Sequence, residues 1–303
     1  MNVLVIGYGS IGSRHVRLLN DLGCNVAVVS KRAIDYKNTF LKIADGLEAH
    51  KPEYIVISNN TTEHHTTIKN LIQLGYTGTV LVEKPLFHQV QNINIKSFHQ
   101  IYVAYNLRFH PVIQKLRSFL ASEKIISVMA YAGQYLPSWH PERDYRESYS
   151  ASKIMGGGVL RDLSHELDYL IWLLNGWTRV TAMGGHFSAL EITSDDTCAI
   201  SMVTQSCPIV TLQLNYLDHT GRRFILINTE EHTIEADLIK SSVTIDQKVE
   251  TLYTDKDMSY KAMHLAVLDN QCENLCSFDE GLEVLKVIEV IEKTIEQGKW
   301  FQK

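Results

Sequence analysis

A run of apolar, mostly branched residues, Asn2-Val3-Leu4-Val5-Ile6, stops at Gly7-Tyr8-Gly9-Ser10-Ile11-Gly12. Ser13-Arg14-His15-Val16-Arg17-Leu18-Leu19 then continues at helical spacing. A strand, a G-x-G-x-x-G turn and a helix, in that order, commit the opening of the chain to a βαβ unit that cradles a dinucleotide. Gly7 makes the tight turn, Gly9 lets the backbone approach a pyrophosphate, and Gly12 seats the helix close on the strand. Tyr8, Ser10 and Ile11 complete the loop, and the free N–H groups and positive dipole end of the helix favour phosphate. The plain alternative is a glycine turn that only joins strand to helix; the second strand that follows argues against it.

Composition removes classes rather than adding them. At 303 residues the chain has room for two domains with full cores. A formal charge of −5 gives no support for nucleic-acid binding, and none is expected. No apolar run approaches the ~20 residues of a membrane helix, so no membrane partner is expected either. The amino terminus lacks a charged n-region and enters the strand at once. A signal peptide is therefore not expected, and the cytoplasm is the expected compartment. The five cysteines, Cys24, Cys198, Cys207, Cys272 and Cys276, are scattered. Cys272 and Cys276 could share a helix face, but buried thiols fit better than a metal pair without other ligands, and no metal is expected.

Asn25-Val26-Ala27-Val28-Val29 reads as a second buried strand. An NAD site usually places Asp or Glu at its end, on the ribose 2′-hydroxyl. Ser30-Lys31-Arg32 stands there instead. A hydroxyl followed by two cations suits a 2′-phosphate, which favours NADP over NAD; Lys31 and Arg32 as mere solvated loop charges is the alternative. Residues 53–57 form the next strand, and 58–65 lead into a helix from about Thr66 to Leu74. Ligands of an open parallel sheet lie beyond the carboxyl ends of its strands. Asn59, Asn60 and Thr61 are thereby placed on the nicotinamide side, with His64 at the same edge. His64 and His65 read first as helix-start residues, because adjacent imidazoles point apart on a helix.

Residues 79–82 form a strand that ends in Glu83-Lys84-Pro85, and 101–105 one that ends in Asn106-Leu107-Arg108-Phe109-His110-Pro111. Glu83, Lys84 and Asn106 join the cofactor edge, and Arg108 is a candidate substrate contact. Pro111 is well placed to open a helix over about 112–122. We set the domain boundary at Asn106, with residues 1–106 a Rossmann NAD(P)-binding domain and 107–303 an α+β domain for substrate binding and oligomerisation.

The second part opens with a strand at 126–131 and a loop at 135–150 rich in rings and charges. Gly156-Gly157-Gly158 then leads into Val159–Leu174, where Asp162, His165 and Asp168 step by three and share one face of a helix, with leucines on the other. Alternating segments at 180–190, 197–204, 209–217, 223–228 and 233–236 read as antiparallel strands, and an amphipathic helix of about 278–297 closes the chain. The expected fold is α/β: an N-terminal Rossmann domain and a C-terminal α+β domain built on an open, mostly antiparallel sheet.

These features, in this order, resemble the Gfo/Idh/MocA oxidoreductases (glucose-fructose oxidoreductase, inositol dehydrogenase and relatives). The resemblance rests on the glycine fingerprint, Glu83-Lys84-Pro85, the 106–111 segment, and the three glycines with Asp162, His165 and Asp168. It implies a Rossmann domain followed by an open-sheet domain, with Lys84 contacting the substrate hydroxyl and the cofactor, and Asp162 and His165 completing the acid/base set. One departure stands out: the family commonly separates its aspartate and histidine by one residue more. A one-residue shift turns a side chain by ~100° about a helix, unless the helix starts differently here. The 135–150 loop and the His165-Glu166-Leu167-Asp168-Tyr169 run look like a branch associated with bacterial surface-sugar and sialic-acid-like pathways.

Hydride transfer to or from a sugar carbon needs a group that manages the hydroxyl proton. With an unperturbed pKa of ~6.5, His165 can give or take that proton. Lys84 would stabilise the alkoxide, or act as base itself if burial lowers its pKa. Asp162 would orient a second hydroxyl or the histidine; Asp168 is not counted as catalytic. Tyr135, Trp139 and Tyr149 offer rings to a sugar, and Arg143 a fork for carboxylate or phosphate; an oligomer-contact loop is the competing use. An open sheet face including Phe187, Met202 and Leu212 would suit a homodimer or homotetramer. The expected activity is an NAD(P)-dependent sugar dehydrogenase or reductase, its substrate a sugar, a nucleotide sugar or a nonulosonic acid. The alternatives are a non-catalytic NAD(P)-binding regulator, or an enzyme whose tightly bound cofactor oxidises transiently during glycoside cleavage or epimerisation.

Overall fold

A computed structural model describes all 303 residues, Met1–Lys303. Strands and helices alternate first: β1 (Asn2–Ile6), α1 (Ser10–Asp21), β2 (Asn25–Val29), β3 (Thr39–Phe40), α2 (Ile43–His50), β4 (Tyr54–Ile57), α3 (His64–Gln73), β5 (Thr79–Val82) and β6 (Gln100–Val103). Next come α4 (Pro111–Leu120), β7 (Ile125–Gly133), and the short helices α5 (Val159–Asp162) and α6 (His165–Leu173). A run of strands follows: β8 (Trp177–Gly185), β9 (Thr197–Thr204), β10 (Ile209–Asn215), β11 (Arg222–Thr229), β12 (Thr233–Asp237), β13 (Ser242–Ile245) and β14 (Lys248–Thr251). The chain closes with α7 (Met258–Leu268), β15 (Cys276–Ser277), α8 (Phe278–Gln297) and β16 (Phe301–Gln302).

Two compact units result, Met1–Phe109 with Lys256–Leu285, and His110–Asp255 with Lys286–Lys303. The sequence placed a single cut after Asn106. The packing instead returns 256–285 to the first unit, because α7 packs on α1 and β15 pairs antiparallel with β6. No helix is long and apolar enough to cross a membrane.

In the first unit the sheet order is β15-β6-β5-β4-β1-β2-β3, parallel except for β15. Removing β15 leaves the doubly-wound order, whose crevice opens between β1 and β4. The branched apolar strands explain the burial: β1, β4 and β5 are covered on both faces, and Val3, Leu4, Val5, Ile55, Val56 and Leu81 are each 0% exposed. Helix α1 buries Gly12, His15, Val16 and Leu19 at helical spacing and leaves Arg17 and Asn20 outside.

The second unit is built on nine strands in the order β14-β13-β12-β11-β7-β10-β9-β8-β16. All its pairs are antiparallel except β7 with β10. Strict alternation in β10 puts Val210, Leu212 and Leu214 inside and Ile209, Thr211 and Gln213 outside. The expected open face was therefore assigned to the wrong side. Met202 and Leu212 are both 2% exposed, and Phe187 lies beyond the end of β8. The outward face carries Met129, Ile209 and a stacked Tyr131–Phe224 pair instead. Helices α4 and α5 pack on the strands, and Pro111 opens α4 beside a His110 cap that accepts Val112 N–H at 3.3 Å.

Candidate active site

Register lines up the strand ends of the first unit. Val29 pairs with Ile6, Ile6 with Ile57, Ile57 with Val82 and Val82 with Val103. The next residues, Ser30, Gly7, Ser58, Glu83 and Ala104, therefore leave the sheet along one edge. Gly7 has φ +103°, and a Cβ there would lie 2.6 Å from Asn59 N. A Cβ on Gly12 would lie 2.2 Å from Gly7 O, so strand, turn and helix meet backbone to backbone. A Cβ on Gly9, in contrast, would meet nothing within 4 Å. Ser13 N–H is the first to close onto the helix, at 2.9 Å from Gly9 O, and the earlier N–H groups of α1 face this space.

Asn59 donates to Thr67 Oγ1 at 2.8 Å, while its own Oδ1 is buried without a partner. An open cradle over Gly9, a helix N-terminus and an orphaned acceptor beside them fit a dinucleotide with a donor group near Asn59. Tyr8 is half-buried, its ring 6.1 Å from that of Tyr36. Asn60 and Thr61 start the turn into α3 at the same edge, and Lys84 is half-buried.

Several candidates have other work. Both ring nitrogens of His64 face backbone carbonyls, Nδ1 those of Pro85 and Leu86 at 3.2 and 3.1 Å, Nε2 that of Asn59 at 3.2 Å. At 1% exposed, and held below the ordinary imidazole range by burial, it sits between the Lys84-Pro85 turn and the Asn59 turn, its one N–H engaged with the backbone rather than free for a ligand. Asn106 is buried and donates to Ser259 Oγ at 2.7 Å. Arg108, expected to meet substrate, is 2% exposed and donates to Glu280 at 3.0 Å. The returning segment 256–285 supplies both partners, which is why the sequence reading missed them. Ser30 is likewise engaged: its hydroxyl accepts Arg32 N–H and donates to Arg32 O, both at 3.1 Å, closing its own turn. Lys31, fully in solvent, pairs with Glu63 at 3.1 Å, and Arg32 is exposed.

In the second unit, Asp162 and His165 do not share a helix. α5 ends at Asp162, Leu163 departs to φ −98° and ψ 30°, and α6 starts afresh at His165. Asp162 and His165 are thus related by a break between α5 and α6 and not by rotation about one helix axis. Nor is one face apolar and the other wet, since every residue from Gly156 to Leu170 is buried. The glycines permit this: a Cβ on Gly157 would lie 2.1 Å from Tyr149 O, so the end of the 135–150 loop rests directly on the glycine run.

Asp162 Oδ2 accepts the Tyr216 hydroxyl at 2.5 Å, and Trp139 meets the Tyr216 ring edge-on at 5.3 Å. Tyr216, just past β10, was not predicted; an aromatic after a strand carries no pattern of its own. Tyr135 lies 3.9 Å from the His219 ring, Tyr149 is 46% exposed, and Arg143 is exposed beside Glu142. Arg146 of the same loop is held by Asp144 at 2.7 Å and Glu191 at 2.6 Å. Glu166, which follows His165 in α6 and is 0% exposed, pairs with Arg223 at 2.7 Å.

The family model described as the oxidoreductase family, NAD-binding Rossmann fold, matches residues 1–96, and that described as the GFO/IDH/MocA C-terminal domain matches residues 113–235. The chain belongs to the GFO/IDH/MocA oxidoreductase family. No curated protein matches it in sequence. Among solved structures, a levoglucosan dehydrogenase in complex with NADH superposes with a TM-score of 0.85 at 14% identity, covering 100% of this chain and 98% of that one. The UDP-N-acetylglucosamine 3-dehydrogenase of Acidithiobacillus ferrooxidans gives 0.79 at 17%, covering 97% of each. The WlbA dehydrogenase of Bordetella pertussis, in complex with NADH and UDP-GlcNAcA, gives 0.78 at 16%, covering 99% and 98%. At such identities these likenesses speak for the fold of this family member.

Proposed function

We propose that this GFO/IDH/MocA member is a sugar dehydrogenase or reductase that prefers NADP and acts on a hydroxyl or carbonyl carbon of a sugar, a nucleotide sugar in the first instance. The observation that carries the reading is the shared strand edge, where Lys84 leaves the sheet beside the open Gly9 cradle and the unpartnered Asn59 Oδ1. Two of the similar structures are named for UDP-sugar chemistry or hold a UDP-sugar, which supports the substrate class.

When bound, the coenzyme supplies or accepts the hydride. Lys84 then holds the developing alkoxide as a cation, and His165 takes or returns the hydroxyl proton. Asp162, fixed by Tyr216, orients a hydroxyl of the sugar. Trp139 and Tyr149 offer ring faces, and Arg143 meets the anionic part of the substrate. Self-association through the Met129–Ile209 face belongs to the same proposal, and light scattering reads it.

Purified protein with NADP and a panel of sugars and UDP-sugars tests the reading through reduced-nicotinamide absorbance. Lys84→Ala and His165→Ala, measured separately, divide the proton and oxyanion roles: loss of the base flattens the pH profile of kcat, whereas loss of the cation lowers kcat across it. Coenzyme binding without turnover on any sugar would favour the regulator instead.

A further inference from the structure

Inside the first unit, four polar side chains form a line that neither coenzyme nor substrate contact accounts for. Tyr54, His15 and His264 are each 0% exposed and Glu83 is 8% exposed. Tyr54 Oη lies 3.0 Å from His264 Nδ1, His264 Nε2 lies 2.8 Å from His15 Nδ1, and His15 Nε2 lies 2.8 Å from Glu83 Oε1. Glu83 Oε2 accepts the backbone N–H of Lys84 at 3.3 Å. The line is pinned from outside. Arg14 and Arg17, flanking His15 on α1, each reach Asp257 at 2.8 Å, and the Arg14 guanidinium lies 4.4 Å over the Tyr260 ring of α7.

Hydrogen counting leaves one arrangement in which every contact is made. The Tyr54 hydroxyl has His264 as its partner, so its hydrogen goes to His264 Nδ1. A neutral His264 then carries its proton on Nε2 and donates to His15 Nδ1. His15 carries its own on Nε2 and donates to Glu83 Oε1. An imidazolium at His15, or an acid hydrogen on Glu83 Oε1 pointing at His15, reverses the upstream bonds. Either would strand the Tyr54 hydrogen in a dry core, a loss of about 1–3 kcal/mol.

We infer that this line holds a single proton order, Tyr54 to His264 to His15 to Glu83, and that His15 and His264 are positioning residues that fix the Glu83 carboxylate and, through it, the backbone at Lys84. The neutral state of His264 and Tyr54 has independent support: burial holds His264 well below the ordinary imidazole range and the Tyr54 phenol far above its own. The consequence is mechanical. Helix α1, whose N-terminus would hold the coenzyme's pyrophosphate, steadies from the same rigid element the strand end that carries Lys84. The bearing on turnover rests on the role proposed for Lys84; the proton order does not.

Long-range proton–nitrogen NMR of the full-length protein labelled at histidine reads the order directly. Single His15→Gln and His264→Gln variants assign the rings. Both rings are expected as neutral tautomers protonated on Nε2 at neutral pH. A doubly protonated His15, or either ring protonated on Nδ1, overturns the inference whatever the protein's activity. His264→Leu, which removes the donor to His15, is expected to lower kcat on the order of 100-fold, the effect of an ångström-scale misplacement, with coenzyme affinity within a few-fold. His264→Gln, whose amide can still donate to His15, is expected to restore most of it. Equal losses in the two variants would reduce His264 to a packing residue and overturn the positioning role. An inactive wild type that shows the expected tautomers would instead count against the dehydrogenase reading alone.

Discussion

The Tyr216 hydroxyl donates to Asp162 Oδ2 across 2.5 Å, and both side chains are buried. Burial and the nearby carboxylate push the Tyr216 phenol far above its ordinary range, so it remains a donor at any working pH. Tyr216→Phe leaves that carboxylate oxygen short of a hydrogen bond. The variant is expected to lose about 1–3 kcal/mol of stability in urea unfolding. Its kcat is expected to fall more than its KM rises, because orientation of Asp162 is what disappears.

Two glycines of the fingerprint separate binding from folding. Gly9 has φ −86°, and a Cβ there meets nothing within 4 Å. Gly9→Ala is expected to keep stability within about 0.5 kcal/mol while coenzyme affinity drops steeply. Gly12→Ala drives a Cβ to 2.2 Å from Gly7 O, and the resulting overpacking is expected to cost about 1–3 kcal/mol or more. Thermal unfolding and a fluorescence titration on each variant check both statements.

His110 gives acid sensitivity a definite window. Burial first, and then the Arg223 guanidinium, hold it down to about 4 in the fold, whereas the unfolded chain binds that proton near ~6.5. Between those values the unfolded state holds more protons, so stability falls as the solution is acidified from about 6.5 to about 4. This residue alone accounts for at most about 3 kcal/mol of that loss. His110→Asn keeps a capping side chain for α4 and is expected to flatten the slope of urea midpoint against pH. Part of the slope will persist, since burial lowers His64 and His264 in the same direction.

The proposed NADP preference makes Lys31, Arg32 and Glu63 the residues to vary. Glu63 occupies Lys31 at 3.1 Å, and the Ser30 hydroxyl is engaged in its own turn. Arg32→Ala is expected to weaken NADP by roughly 10-fold or more, in line with one charge-assisted bond, and to leave NAD nearly unchanged. Glu63→Gln releases Lys31 and is expected to tighten NADP a few-fold. Isothermal titration with both coenzymes gives the two ratios.

Much of the molecule was legible residue by residue. Period-two and period-3.6 patterns are local, so β1, α1, β9 and α8 could be read before any packing was considered. The fingerprint was legible for a stronger reason: its glycines answer to contacts within a dozen residues and to Ser58–Asn59. Even His15 left a trace, a polar ring on the buried Gly12-His15-Val16-Leu19 stripe.

By itself, then, the amino-acid order determined a nucleotide cradle, the alternation of the second sheet and which residues are candidates for acid–base work. These depend on neighbours close along the chain. The tertiary structure alone decided which of those residues are occupied elsewhere. Arg108 is bound to Glu280, Asn106 to Ser259, and His15 to His264 and Glu83, partners as many as 249 positions away. It also decided that Asp162 and His165 stand on separate helices. A buried polar group must find a partner wherever the fold brings one, and no local spacing carries the identity of a partner that arrives from the far end of the chain.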